Sequence, residues 1–104
     1  MAIILRRIFY GKVGSAGPLV QHMKEADVML SKYGPGFKSR TMTDWMSGRS
    51  DRVVVEWEME NPADMDAALN AAMSTPEGQA EFSRWMEKLT SLIHYSEAEN
   101  WTIQ

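Results

Sequence analysis

His22 and His94 are the two imidazoles of the chain, and imidazole is the side chain best suited to general acid or base work near neutral pH. His22 falls one residue before Met23, at the edge of a helical apolar stripe. His94 falls where the last helical pattern gives way to the last strand. Neither has a recognisable partner in sequence. Two histidines without a carboxylate at ligand spacing make a poor metal site, and the chain has no cysteine to supply thiolates. No metal and no cofactor is expected. Gly11, Gly14 and Gly17 do not form the G-x-G-x-x-G pattern that cradles a pyrophosphate, and no nucleophile elbow announces a Ser–His–Asp set.

Arg7 and Arg40 carry a different chemistry. Each sits inside a strand pattern, and Arg7 shares a face with Leu5 and Phe9, so it is placed to point into apolar space. A buried guanidinium needs a carboxylate partner or an anionic ligand. A salt bridge to a strand glutamate, Glu56 or Glu58, is the favoured reading. Tyr33, Trp57, Trp85, Trp101 and the nine methionines could line a pocket for an aromatic or otherwise apolar ligand. Their helical and strand spacing is first that of core residues. The ligand-binding candidates are therefore Arg7, His22, Tyr33, Trp85 and His94, with no catalytic residue assigned.

The elements that must position these residues follow from periodicity. Ile3 to Val13 reads as a strand with apolar residues on both faces. Gly14 to Pro18 breaks it. From Leu19 to Tyr33 the stripe Leu19, Met23, Ala26, Leu30 and Tyr33 predicts an amphipathic helix, stopped by Gly34-Pro35-Gly36. Phe37 to Met46 and Arg52 to Met59 alternate as two strands of a hairpin around Ser47 to Asp51. Asn61-Pro62-Ala63-Asp64 starts a helix, with Asn61 as cap. Thr75-Pro76-Glu77 repeats the signal, predicting a second helix whose broad apolar face carries Phe82, Trp85, Met86, Leu89, Leu92 and Ile93. His94 to Ile103 alternates again, with Tyr95, Glu97, Glu99, Trp101 and Ile103 on one face.

This order predicts an α+β fold, β-α-β-β-α(α)-β, with a four-stranded antiparallel sheet and helices on one face. At 104 residues, 44% hydrophobic and 24% charged, one domain spanning 1–104 is expected. The net charge of −3 gives no footprint for nucleic acid or an anionic membrane. No apolar run approaches the roughly 20 residues a membrane helix needs, and no signal peptide is recognisable, so the expectation is a cytoplasmic protein. The helices can cover only one sheet face, and large apolar patches are seldom left in water. A homodimer, with one sheet laid against its copy, is the favoured solution. The competing one is a monomer whose outer face is kept polar by Glu56, Glu58, Glu97 and Glu99.

The order of elements resembles the ferredoxin-like dimeric α/β-barrel superfamily. Val53-Val54-Val55-Glu56-Trp57-Glu58, then Asn61-Pro62-Ala63-Asp64, Thr75-Pro76-Glu77-Gly78 and Phe82, is similar to its NIPSNAP-like branch. The resemblance covers most of the chain and rests on packing patterns. It implies a sheet-to-sheet dimer and no particular reaction. The superfamily includes cofactor-independent monooxygenases and haem-degrading enzymes. This chain departs from the haem-degrading pattern: the strand Ile3 to Val13 lacks the Asn those enzymes carry there, and the last helix has no internal His. Two functions stay open. One is small-molecule binding, or cofactor-independent oxidation of an aromatic substrate, in an apolar pocket between sheet and helices. The other is a non-catalytic dimeric module for ligand sensing or protein interaction.

Overall fold

The structure, a computed structural model, describes residues 2–45 and 47–104. The elements run β1 (Ile3–Gly11), α1 (Ala16–Ser31), β2 (Lys38–Thr43), β3 (Arg52–Met59), α2 (Ala63–Ala72), α3 (Pro76–Leu92) and β4 (Ile93–Thr102). The strands form one sheet in the order β2-β3-β1-β4, and every neighbouring pair is antiparallel. This is the expected α+β, ferredoxin-like arrangement, with the second helical region split in two. Met46, expected at the end of the first hairpin strand, lies outside the described residues. β2 itself is shorter than the alternation suggested and stops at Thr43.

Register assigns the faces. Leu5 stands opposite Trp57, Arg7 opposite Val55 and Phe9 opposite Val53, so these side chains share one face of the sheet. Leu5, Phe9, Val53, Val55, Trp57 and Met59 are buried there, under Leu19 and Met23 of α1 and Leu89 of α3. The apolar stripe of α1 behaves as its spacing predicts through Leu30. Tyr33 lies past the helix end, in the turn that follows.

The opposite face carries Ile4, Arg6, Ile8 and Tyr10 of β1 beside Glu56 and Glu58 of β3 and Glu97, Glu99 and Trp101 of β4. Charges there pair across strands: Arg40 Nε lies 2.7 Å from Glu56, Arg6 3.8 Å from Glu56 and 3.4 Å from Glu99, and Lys38 3.7 Å from Glu58. Tyr10 and Tyr95 stack with centroids 4.3 Å apart, under the guanidinium of Arg49. Trp101 is 56% exposed on this face, whereas Trp57 belongs to the helix-covered face and is buried.

Two joints fix the helices. Asp51, at the end of the β2–β3 connection, accepts from Ala16 N at 3.0 Å and so caps α1 from another part of the chain. Bonds from the backbone of Ala16 and Gly14 hold its carboxyl below the usual carboxylate range. Ser15, at the local cap position, makes no such bond and its buried hydroxyl has no partner among the described residues. Between α2 and α3, Thr75 Oγ1 accepts from Gly78 N at 3.1 Å. A Cβ at Gly78 would run into the carbonyl of Ala72, so only glycine lets the two helices meet this closely. Asn61 caps as expected, its Oδ1 accepting from Ala63 N at 2.9 Å.

Candidate functional site

Between the buried sheet face and the helices lies a half-open chamber of about 240 Å³. Leu5, Arg7 and Phe9 of β1 and Trp57 of β3 form its floor; Ala26, Met29 and Leu30 of α1 form one wall. Met65 and Leu69 of α2, with Phe82, Trp85 and Leu89 of α3, complete it. Among the described residues this lining holds one ionisable side chain, Arg7. The rest is aliphatic, thioether or aromatic surface, the composition of a pocket for an apolar molecule.

Arg7 enters this space because strand alternation places it with Leu5 and Phe9. The same alternation excludes the expected salt bridge: Glu56 and Glu58 project from the other face of β3, where Arg6, Arg40 and Lys38 pair with them. Arg40 therefore meets a carboxylate as expected, and Arg7 does not. Its Nη1 donates to Arg6 O at 2.9 Å, Glu99 O at 3.3 Å and Asn100 Oδ1 at 3.3 Å. Burial lowers the Arg7 pKa. The acceptors on β4 draw the guanidinium toward that edge, where Ser96, Ala98 and Asn100 are exposed. α3 covers less of the sheet than its apolar pattern suggested, and Met86 is 38% exposed.

Trp85 lines the chamber, and His22 stands behind it. The two rings stack at 4.6 Å and 14°. His22 Nε2 lies 2.8 Å from Trp85 O, and Trp85 Nε1 donates to His22 O at 3.2 Å. A carbonyl only accepts, so Nε2 carries the proton. His22 Nδ1 is buried without a hydrogen bond, 3.5 Å from Glu25 Oε2. His22 thus opens onto a second depression shared with Glu25, Glu81, Arg84 and Lys88. Of the five candidates, the chamber brings together Arg7 and Trp85. Tyr33 lines a separate depression beside Gly34, Pro35 and Glu58, and His94 is exposed at the start of β4.

Two contributors carry no signal in sequence. Asp27 accepts from Trp57 Nε1 at 3.0 Å and from Ser39 Oγ at 2.7 Å, fixing the Trp57 ring in the chamber floor. Asn100 meets Arg7 from a strand 93 positions away. Both act across elements, so no local spacing reveals them. Among the described residues no group of three or more His, Asp or Glu side chains could hold a metal ion, and no helix is long and apolar enough to cross a membrane.

Sheet order and the split second helix give the fold shared with solved NIPSNAP and monooxygenase-like structures. A NIPSNAP domain protein from Burkholderia xenovorans superposes with a TM-score of 0.73 at 15% identity, over 98% of this chain and 94% of that one. A NIPSNAP family protein from Agrobacterium tumefaciens gives 0.73 at 15%, over 99% and 86%. SnoaB, a cofactor-independent oxygenase from Streptomyces nogalater, solved as its N63A mutant, gives 0.68 at 16%, over 99% and 93%. At these identities the likeness is one of fold. No family model and no curated protein matches the chain.

Proposed function

We propose that this protein binds a small, largely apolar molecule in the chamber between its sheet and helices. The carrying observation is the lining itself: a continuous apolar and aromatic wall, half-open, with a single charged side chain. A cavity of about 150 Å³ lined by aliphatic and aromatic groups holds a benzene ring. This chamber, at about 240 Å³, therefore suits a body of one or two rings.

Oxidation of the bound molecule without a cofactor is the narrower version of this reading. It is supported by the fold shared with SnoaB, itself a cofactor-independent oxygenase. The described lining holds no imidazole or carboxylate to act as base. An oxidisable substrate would then be an acidic quinol or enol, ionised beside Arg7, supplying its own electrons to dioxygen.

A homodimer through the open sheet face belongs to the same proposal. Trp101 and Tyr95 are 56% and 46% exposed there, Glu56, Glu58 and Glu99 are matched by Arg6, Arg40 and Lys38, and Glu97 meets the Tyr10 hydroxyl. A face whose charges are largely paired internally can be covered with few unmatched ions buried.

The test is a thermal-shift screen of one- and two-ring aromatics, acids and quinols included, on the native chain and on Met65→Trp, which fills the chamber. Stabilisation of the native chain, lost in Met65→Trp, is the expected result, since a ligand that binds the folded state raises its stability by mass action. No stabilisation across the panel, or equal stabilisation of both, contradicts it. Oxygen uptake in the presence of a bound quinol separates the oxidative version from binding alone.

A further inference from the structure

Resting on the chamber as a binding site, we infer that its ligand is a monoanion: a carboxylate at the mouth gripped by Arg7, with a one- or two-ring or short aliphatic body against Trp57 and Trp85. Four arginines lie on strands, and three of them are matched. Arg6 and Arg40 face Glu56, and Arg52 holds Asp44 through two bonds of 2.7 and 2.8 Å. Arg7 has only uncharged oxygens, all three on Nη1. Its Nε and Nη2 hydrogens meet no acceptor among the described residues. Those two N–H groups share one edge of the guanidinium, the edge that takes a carboxylate side-on and bidentate.

No carboxylate of the protein can take that place from the lining. Glu56, Glu58 and Glu99 stand on the other sheet face by strand alternation. The cation is partly withdrawn from water, as its lowered pKa reflects, and an incoming anion would offset that desolvation. Geometry fits the amphipathic shape of such a ligand. Nη1 leans on Glu99 O and Asn100 Oδ1 at the exposed β4 edge, while the aromatic and methionine surface lies inward. The anion then stays near the mouth, where its remaining lone pairs meet water. Apolar carbons fill the interior.

The experiment compares matched pairs by calorimetric titration: 2-naphthoate with 2-naphthamide, benzoate with benzamide, and octanoate with octanamide. It uses the native chain, Arg7→Gln and Asn100→Asp, each verified as folded by circular dichroism. Asn100 is exposed, so Asn100→Asp leaves the fold intact while placing a competing carboxylate beside Arg7. In the native chain at least one carboxylate should bind tenfold or more tightly than its amide, and both variants should reduce that ratio to about twofold or less. Amides binding as well as carboxylates would overturn the anion preference and leave the chamber reading standing. A carboxylate preference unchanged in both variants would place the anion away from Arg7 and overturn the inference. No binding by any pair would overturn both.

Discussion

His22 and Trp85 hold each other twice through backbone and ring: each side-chain N–H reaches the other residue's carbonyl, and the rings stack at 4.6 Å. The pair joins α1 to α3 and sets the position of one chamber wall. His22 is 1% exposed, so His22→Ala removes a buried ring together with its hydrogen bond to the Trp85 carbonyl. A loss of about 2–3 kcal/mol is expected in chemical denaturation. Trp85→Phe keeps an aromatic ring against His22 but removes the Nε1 donor and part of the indole surface, and should cost less, about 1–2 kcal/mol. Equal costs would mean that the stack contributes nothing beyond the hydrogen bond.

The α2–α3 joint gives a second comparison. Thr75→Ala removes one cap bond and should cost about 1 kcal/mol. Gly78→Ala should be the more damaging of the two, because its Cβ meets backbone at Ala72 rather than a side chain that can turn away. Denaturation midpoints of the two variants rank the effects directly.

Acid stability follows from Asp51 and Asp44. Bonds from the α1 N-terminus and from Arg52, respectively, hold these carboxyls below their ordinary value. A group whose folded pKa is depressed binds fewer protons when folded than when unfolded. Its stabilisation is therefore complete above the unfolded carboxylate value of about 3.9 and is lost as pH falls through the folded one. The melting temperature of the native chain should drop below about pH 4, and Asp51→Asn should flatten that drop while lowering stability at pH 7. A variant whose acid limb matches the native one would remove Asp51 from the account.

The open sheet face predicts self-association. Light scattering at high protein concentration should report twice the chain mass, and Tyr95→Lys together with Trp101→Arg, both exposed on this face, should report the chain mass with an unchanged circular dichroism spectrum. A native monomer at high concentration would contradict the dimer and favour a face kept soluble by its paired glutamates.

Most of the fold was legible because its signals are local. Period-two strands, the Leu19-Met23-Ala26-Leu30 stripe, Asn61-Pro62 and Thr75-Pro76 each act within a few residues. The site was legible in part. Alternation alone placed Arg7 on the Leu5 and Phe9 face, yet the glutamates expected to pair with it stand on the other face by the same rule. Strand order was the missing quantity: it sends Glu56 to Arg6 and Arg40, and brings Asn100 to Arg7. His22 was visible as a residue at a stripe edge, but only the α1–α3 packing turns it toward Trp85 and away from the chamber. Asp51 and Asp27 were silent because each serves an element distant in sequence.

Methionine methyl NMR probes the ligand chamber between sheet and helices residue by residue. Met29 and Met65 line the chamber, while Met42 lies on the open sheet face among Arg6, Ile8 and Val54. With 13C-methyl methionine and titrated 2-naphthoate, the Met29 and Met65 resonances should shift in a saturable way and Met42 should stay fixed. Shifts at Met42 with Met29 and Met65 unmoved, or no saturable shift at any methionine, would contradict the account.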